Sequence, residues 1–453
     1  MFWDRWRRDR ERHHTAGGAG NLPAPRDPLK FQRSDTSPKR YRAIQMSPFT
    51  PLVLPNGAMI SNRLAKASME ENMADYEHLP SEDLFRLYQA WADGGAGLIL
   101  TGNVMIDRRA LTGPGGIVLE NDKHLDRFSK WARIGRSKGA HFWMQINHPG
   151  RQVPANLGQP TVAPSAIPLE LGALSRMFPV PREMTEQEID DVVQRFARTT
   201  GLAERAGFTG VEIHAAHGYL INQFLSPLSN KRTDRWGGSL ENRARLLRTV
   251  IEAVRAQVRP EFCVAVKLNS ADFQRGGFDT ADARGVLEML NALPIDLVEI
   301  SGGNYEAPAM QGDAGDGRTL AREAFFLDFA QELLSTAGMP LMVTGGIRRI
   351  EVVERVLASG IAVAGMGSAL AIEPHLPALW SQGKHTEAML RPITWRHKLL
   401  AARAYMASIK YQMRAVSLGR MTNPNISPLL AFTIERIDVI RRSAKYRKWM
   451  AAH

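Results

Sequence analysis

The chain has 453 residues, 44% hydrophobic and 23% charged, with a formal net charge of +12, as expected of a globular protein large enough to bury an extensive core. Its single cysteine, Cys263, excludes an internal disulfide, a four-cysteine iron–sulfur cluster and a cysteine-rich zinc site. The charge sits at the ends, with 11 Lys+Arg against 5 Asp+Glu in residues 1–45 and 14 against 3 in residues 381–453; the middle is left at −5, with no basic, aromatic-interleaved groove to bind nucleic acid.

Residues 1–45 read as a disordered basic leader. No apolar stretch of the export-signal kind follows its arginines, and the patterned sequence begins just after Met46, a candidate natural start. No run of eighteen apolar residues occurs anywhere, so neither a membrane-spanning helix nor a membrane partner is expected, and the expected location is cytoplasmic.

From about residue 62 to 370, short apolar runs alternate with helical patterns, the signature of a parallel α/β fold. The strand candidates are Arg63–Ala67, Gly97–Thr101, Phe142–Ile146, Gly210–His214, Val264–Leu268, Leu297–Ile300, Leu341–Thr344 and Ile361–Gly365. Helical patterns cover Ser81–Gly94, Thr185–Ala206 and Leu240–Val258, and Thr185 with Glu188 has the spacing of a capping box. Eight such units would close into a (β/α)8 TIM barrel, although an open doubly wound sheet has the same alternation. No GxGxxG follows the first strand, and the glycine clusters come late, which favours the barrel. Residues 147–184 form a Pro/Gly-rich excursion after the third strand, long enough to cover part of a site. Cys263, in the run FCVAV, reads as a small buried hydrophobe.

The fourth strand leads into the most informative segment, VEIHAAHGYLINQFLSPLSNKRTDRWGGSLENRAR over Val211–Arg245. His214, His217 and Tyr219 follow one strand end. They offer two neutral imidazole donors and a phenol to an oxygen that gains negative charge in a reaction. The HxxH spacing could instead take zinc, but no third acidic ligand lies near it in sequence, so the metal expectation is none. Lys267, between Val266 and Leu268, would either snorkel to the strand end or point into the barrel, where a buried cation needs an anionic partner. Tyr305, after the sixth strand, would line the site's mouth or pack over the rim. The turns Thr344–Arg348 and Gly365–Ser368 end the last two strands and can present backbone amides to a phosphate.

SNRLAKASM, AGLILTGN, QINHPGR, the histidine segment, VAVKLNSADF, TGGI and GMG together closely resemble the Old Yellow Enzyme family, also called the NADH:flavin oxidoreductase/NADH oxidase family, over about residues 46–380. The resemblance implies a barrel binding noncovalent FMN, with NAD(P)H as reductant. By position it places Ala67, Ser68 and Met69 beside the flavin ring and Asn103 where the family has a small residue. It puts Gln145 on the pyrimidine edge, Gly346, Gly367 and Ser368 at the phosphate, and Lys267 against N1 and O2 of the reduced flavin. Ser68 stands where proline is common, Glu70 where threonine or cysteine is common, and Ser368 where arginine is common, with Arg348 the nearest replacement for that charge. The implied reaction is ping-pong reduction of an electron-poor alkene conjugated to a carbonyl or nitro group. In it His214 and His217 bind the oxygen, Tyr219 gives the proton and Tyr305 lines the substrate side. An NADH oxidase or a quinone or nitro-compound reductase would use the same flavin site.

Residues 381–453 read as a basic helical extension, helical over 395–419 and amphipathic over 434–450. Faces of that size require burial on the barrel or on another subunit. Family practice makes a homo-oligomer the expectation.

Overall fold

The computed structural model describes residues 47–309 and 323–452, so the leader expected at 1–45 lies outside the described residues. Eight parallel strands form a closed barrel: β1 (Leu64–Lys66), β2 (Leu98–Met105), β3 (His141–Asn147), β4 (Gly210–Ala215), β5 (Cys263–Asn269), β6 (Leu297–Ser301), β7 (Leu341–Val343) and β8 (Val363–Met366). Each pairs with its neighbours in sequence, and β8 closes on β1 with Met366 beside Lys66. Helices cover the outside: α1 (Glu82–Asp93), α2 (Leu125–Gly135), α3 (Glu186–Ala206), α4 (Leu240–Gln257), α5 (Thr280–Leu290), α6 (Leu327–Leu333) and α7 (Ile350–Ala358). The capping box forms at the start of α3, where the Thr185 side chain accepts from the Glu188 amide and Glu188 accepts from the Thr185 amide.

Strand alternation explains the two apolar layers. Val264, Val266 and Leu268 of β5 face the helices, whereas Cys263 and Ala265 join Leu98, Leu100, Trp143, Leu297, Met342 and Val363 inside the barrel. Leu52, Leu54 and Ile60, from a short hairpin before β1, complete that inner cluster from below. The second strand runs four residues beyond its expected end because the β2–β3 register shifts between Leu100 and Asn103. Gly102 makes the shift sterically feasible, since a Cβ there would stand 2.0 Å from Glu71 Oε2 and 2.2 Å from the Met69 carbonyl.

Two long helices follow the barrel, α8 (Lys398–Ser417) and α9 (Pro428–Met450). Both pack back on it. Arg86 of α1 donates to the Ser417 carbonyl at 2.6 Å. Tyr446 of α9 is buried among Met105, Leu111, Val153 and Leu157, and its hydroxyl donates to the Arg108 carbonyl at 2.8 Å. No helix among the described residues is long and apolar enough to cross a membrane.

Candidate active site

Above the inner apolar layer the barrel axis becomes polar. Inward alternation on β4, β5 and β6 brings Glu212, Lys267 and Glu299 together, all buried. Lys267 Nζ lies 3.0 Å from Glu299 Oε1 and 3.5 Å from Glu212 Oε2. The lysine therefore does not snorkel; it turns inward and already has two carboxylate partners of its own. Burial works against its charge, but Glu212 and Glu299 outweigh that effect and hold its pKa above the ordinary range. Burial, reinforced by Glu212, pushes Glu299 well above the usual carboxylate range, and Lys267 acts against that shift. Gln145 extends this network: its Nε2 donates to Glu212, and Ser68 Oγ donates to its Oε1 at 2.7 Å. Ser68 thus fixes the orientation of the Gln145 amide, which a proline at that position could not do.

At the C-terminal ends of β4 and β6 the histidines meet. The His214 ring lies 5.0 Å from His217 and 4.7 Å from Tyr219, centroid to centroid. His214 Nδ1 accepts from the Ala216 amide at 3.2 Å, which leaves the proton on Nε2 and makes that nitrogen the donor. His217 Nε2 is 2.7 Å from Ser301 Oγ, and Nδ1 becomes a donor when the serine hydroxyl donates into that bond. Holding His217 there requires left-handed backbone, φ 60°, stabilised by a 3.1 Å bond from its amide to Asn269 Oδ1. Burial keeps both rings neutral: the pKa of His214 is well below its ordinary value and that of His217 falls to about 3. Burial raises Tyr219 well above the usual phenol range, with Tyr305 and Glu70 adding to the effect. The Tyr219 and Tyr305 hydroxyls are 3.2 Å apart, so Tyr305 joins the site rather than only the rim.

Because β8 pairs with both β7 and β1, three turns are neighbours: Thr344–Arg348, Gly365–Ser368 and Ala67–Met69. Gly345 and Gly346 have φ values of 110° and 75°, and Ser368 opens a short helix whose first amides have no partner within the helix. This cradle fits a phosphate, and the Gln145–Lys267 floor fits a flavin's pyrimidine edge. Asn103 Oδ1, buried with no partner among the described residues, marks a polar demand that the protein itself does not meet. Arg348 Nε lies 2.9 Å from both Glu323 and Glu387, so two carboxylates already share its charge. Glu70 turns toward Thr112 and Asn72, accepting from both.

Sequence reading missed Glu212, Glu299, Ser301 and Asn269. The first two had a signal, a carboxylate inside an apolar strand: Glu299 is at the register of Lys267 and Glu212 at that of Ala265.

The sequence pattern described as the NADH:flavin oxidoreductase / NADH oxidase family matches residues 47–387. An NADH-dependent flavin oxidoreductase of Hypocrea jecorina (strain QM6a), iliE, is 38% identical over 72% of this chain and 87% of that protein. A protein of the same description from Neonectria sp. (strain DH2) is 38% identical over 72% of this chain, which spans only 46% of its length. The solved old yellow enzyme homologue from Zymomonas mobilis superposes with a TM-score of 0.65 at 26% identity, covering 76% of this chain and 94% of that one.

Proposed function

The chain belongs to the NADH:flavin oxidoreductase / NADH oxidase family, whose cofactor is FMN and whose reductant is NAD(P)H, and from that premise we propose that it reduces electron-poor alkenes conjugated to a carbonyl or nitro group. FMN, when bound, supplies the hydride that it receives from the nicotinamide. Gln145 and Lys267 would hold the flavin's pyrimidine edge, Ala67, Ser68 and Met69 would flank its ring together with Asn103, and the backbone at Gly346, Gly367 and Ser368 would hold its phosphate.

The observation that carries this reading is the neutral pair His214 and His217 with Tyr219 beside it. Two uncharged donors converge on one oxygen and stabilise the charge that develops there. Neither imidazole gives up a proton in doing so. Tyr219, buried beside the pair, is the group assigned to give the proton to the α carbon. Tyr305 orders that phenol through the 3.2 Å hydroxyl contact. The same donor pair would bind a phenol without turning it over.

The test is the oxidative half-reaction. NADH-reduced, FMN-loaded protein is mixed anaerobically with 2-cyclohexenone, and flavin absorbance at saturating enone gives the rate. Reoxidation that saturates with enone supports the assignment. Reoxidation by quinones or nitro compounds with none by enones would replace it with a quinone or nitro-compound reductase.

A further inference from the structure

Helices α8 and α9 lie beyond the family match, which ends at residue 387, yet α8 reaches the rim of the site. Lys410 Nζ donates to Asn72 Oδ1 at 2.7 Å and pairs with Glu435 at 2.9 Å, and Asn72 in turn donates to Glu70. Two turns earlier on the same helix face stands Arg403. It is half-buried, and among the described residues its hydrogen bond goes from Nη1 to the thioether of Met177 at 3.2 Å, a weak acceptor. Its guanidinium lies 6.0 Å from the centre of the Phe432 ring.

Other basic groups around the site have carboxylates: Lys267 has Glu212 and Glu299, Arg151 has Glu306, and Lys410 has Glu435. Arg403 has none among the described residues. Burial and the like charge of Arg436 act against it, and the attraction of Glu435, which is paired with Lys410, does not offset them. Half-burying a cation with no carboxylate in ion-pair contact costs free energy that an incoming anion would recover.

The location says which anion. Met177 adjoins Phe178, whose ring packs 5.9 Å from Tyr305, and Tyr305 touches the proton donor Tyr219. Arg403 is thereby joined to Tyr305 through Met177 and Phe178, and its charge acts on the Tyr305 phenol.

We propose that Arg403 is a substrate-binding residue that receives the carboxylate at the distal end of an elongated substrate whose reacting carbonyl lies on His214 and His217. The substrate class narrows to enones carrying an acid on a chain or ring beyond the conjugated system. This inference rests on the reading of the histidine pair given above.

Phenolic ligands separate the two ideas. FMN-loaded protein is titrated with phenol, with 3-(4-hydroxyphenyl)propionate and with the corresponding amide, and flavin absorbance reports binding. Wild type is expected to bind the acid about tenfold more tightly than the amide, the size of one charge-assisted contact, with the gap closing as salt rises. Arg403→Gln should abolish the gap while phenol affinity stays within about twofold, and Arg403→Lys should restore part of it. FMN content and melting temperature check that each variant is folded. Phenol binding with no preference for the acid, or a preference that survives Arg403→Gln, overturns this proposal alone. Failure of wild type to bind any phenol overturns both readings.

Discussion

Replacing Lys267 with methionine tests the polar layer most severely. The side chain is buried, and its ammonium is the cation between two carboxylates at 3.0 and 3.5 Å. Removing one member of a buried ion pair costs about 3–5 kcal/mol, because the surviving charge is left without a partner. Glu299 is already pushed well above the usual carboxylate range in the folded state. The variant can relieve the buried charge only by taking up a proton. A carboxyl whose folded pKa is raised binds more protons folded than unfolded, so its relief is present at low pH and lost as pH rises. Each pH unit above the unfolded carboxyl value adds about 1.4 kcal/mol. The stability deficit of Lys267→Met should then be about 1 kcal/mol at pH 5 and approach 5 kcal/mol at pH 8. Urea unfolding of FMN-saturated protein, followed by far-UV circular dichroism at both pH values, measures it. A deficit that does not change with pH, or one below about 1 kcal/mol at pH 8, would refute the buried-pair reasoning.

The histidine pair makes a prediction about pH. With His217 at about 3 and His214 well below its ordinary value, phenol affinity should be flat from pH 5 to 8. A loss of binding centred near pH 6.5 would show an imidazole titrating in the site. His214→Ala and His217→Ala should each weaken phenol binding by about tenfold or more, read by the same flavin absorbance titration. Tyr219→Phe should leave phenol affinity nearly intact but slow enone reoxidation by about 100-fold or more in stopped flow; a normal rate would remove it as the proton donor. Tyr446→Ala should cost about 3–5 kcal/mol in urea unfolding, since the ring fills a pocket between α9 and the β2 loop.

The barrel was legible because eight apolar runs, nearly all of their residues buried, alternate with amphipathic helices, and every expected strand appears within a few residues of its place. The exception is the end of β2, where the register shift at Gly102 depends on Glu71 and Met69, residues some thirty positions away. His214, His217 and Tyr219 were legible as a local string. Their tautomers and backbone were not, because Ala216 and Ser301 set the tautomers and Asn269 holds the His217 amide, the last two residues lying on other strands. Lys267 was rightly expected inside the barrel, but its partners were assigned to the cofactor alone. Finding them requires aligning β4, β5 and β6, which brings Glu212 and Glu299 to the lysine. The partners of Arg348 were illegible for a similar reason: its proximity in sequence to a glycine turn does not reveal the carboxylates of Glu323 and Glu387 beside it. The reach of α8 toward the site was invisible, since nothing in its sequence names Asn72 or Met177 as partners.

The central claim is tested most directly by offering the NADH-reduced, FMN-loaded protein a single equivalent of an enone under anaerobic conditions and analysing both flavin and product. The account predicts full reoxidation with one saturated ketone formed per flavin, and a corresponding loss of rate in Tyr219→Phe. Persistence of the reduced flavin in the presence of enones, with prompt reoxidation by a quinone, would contradict it.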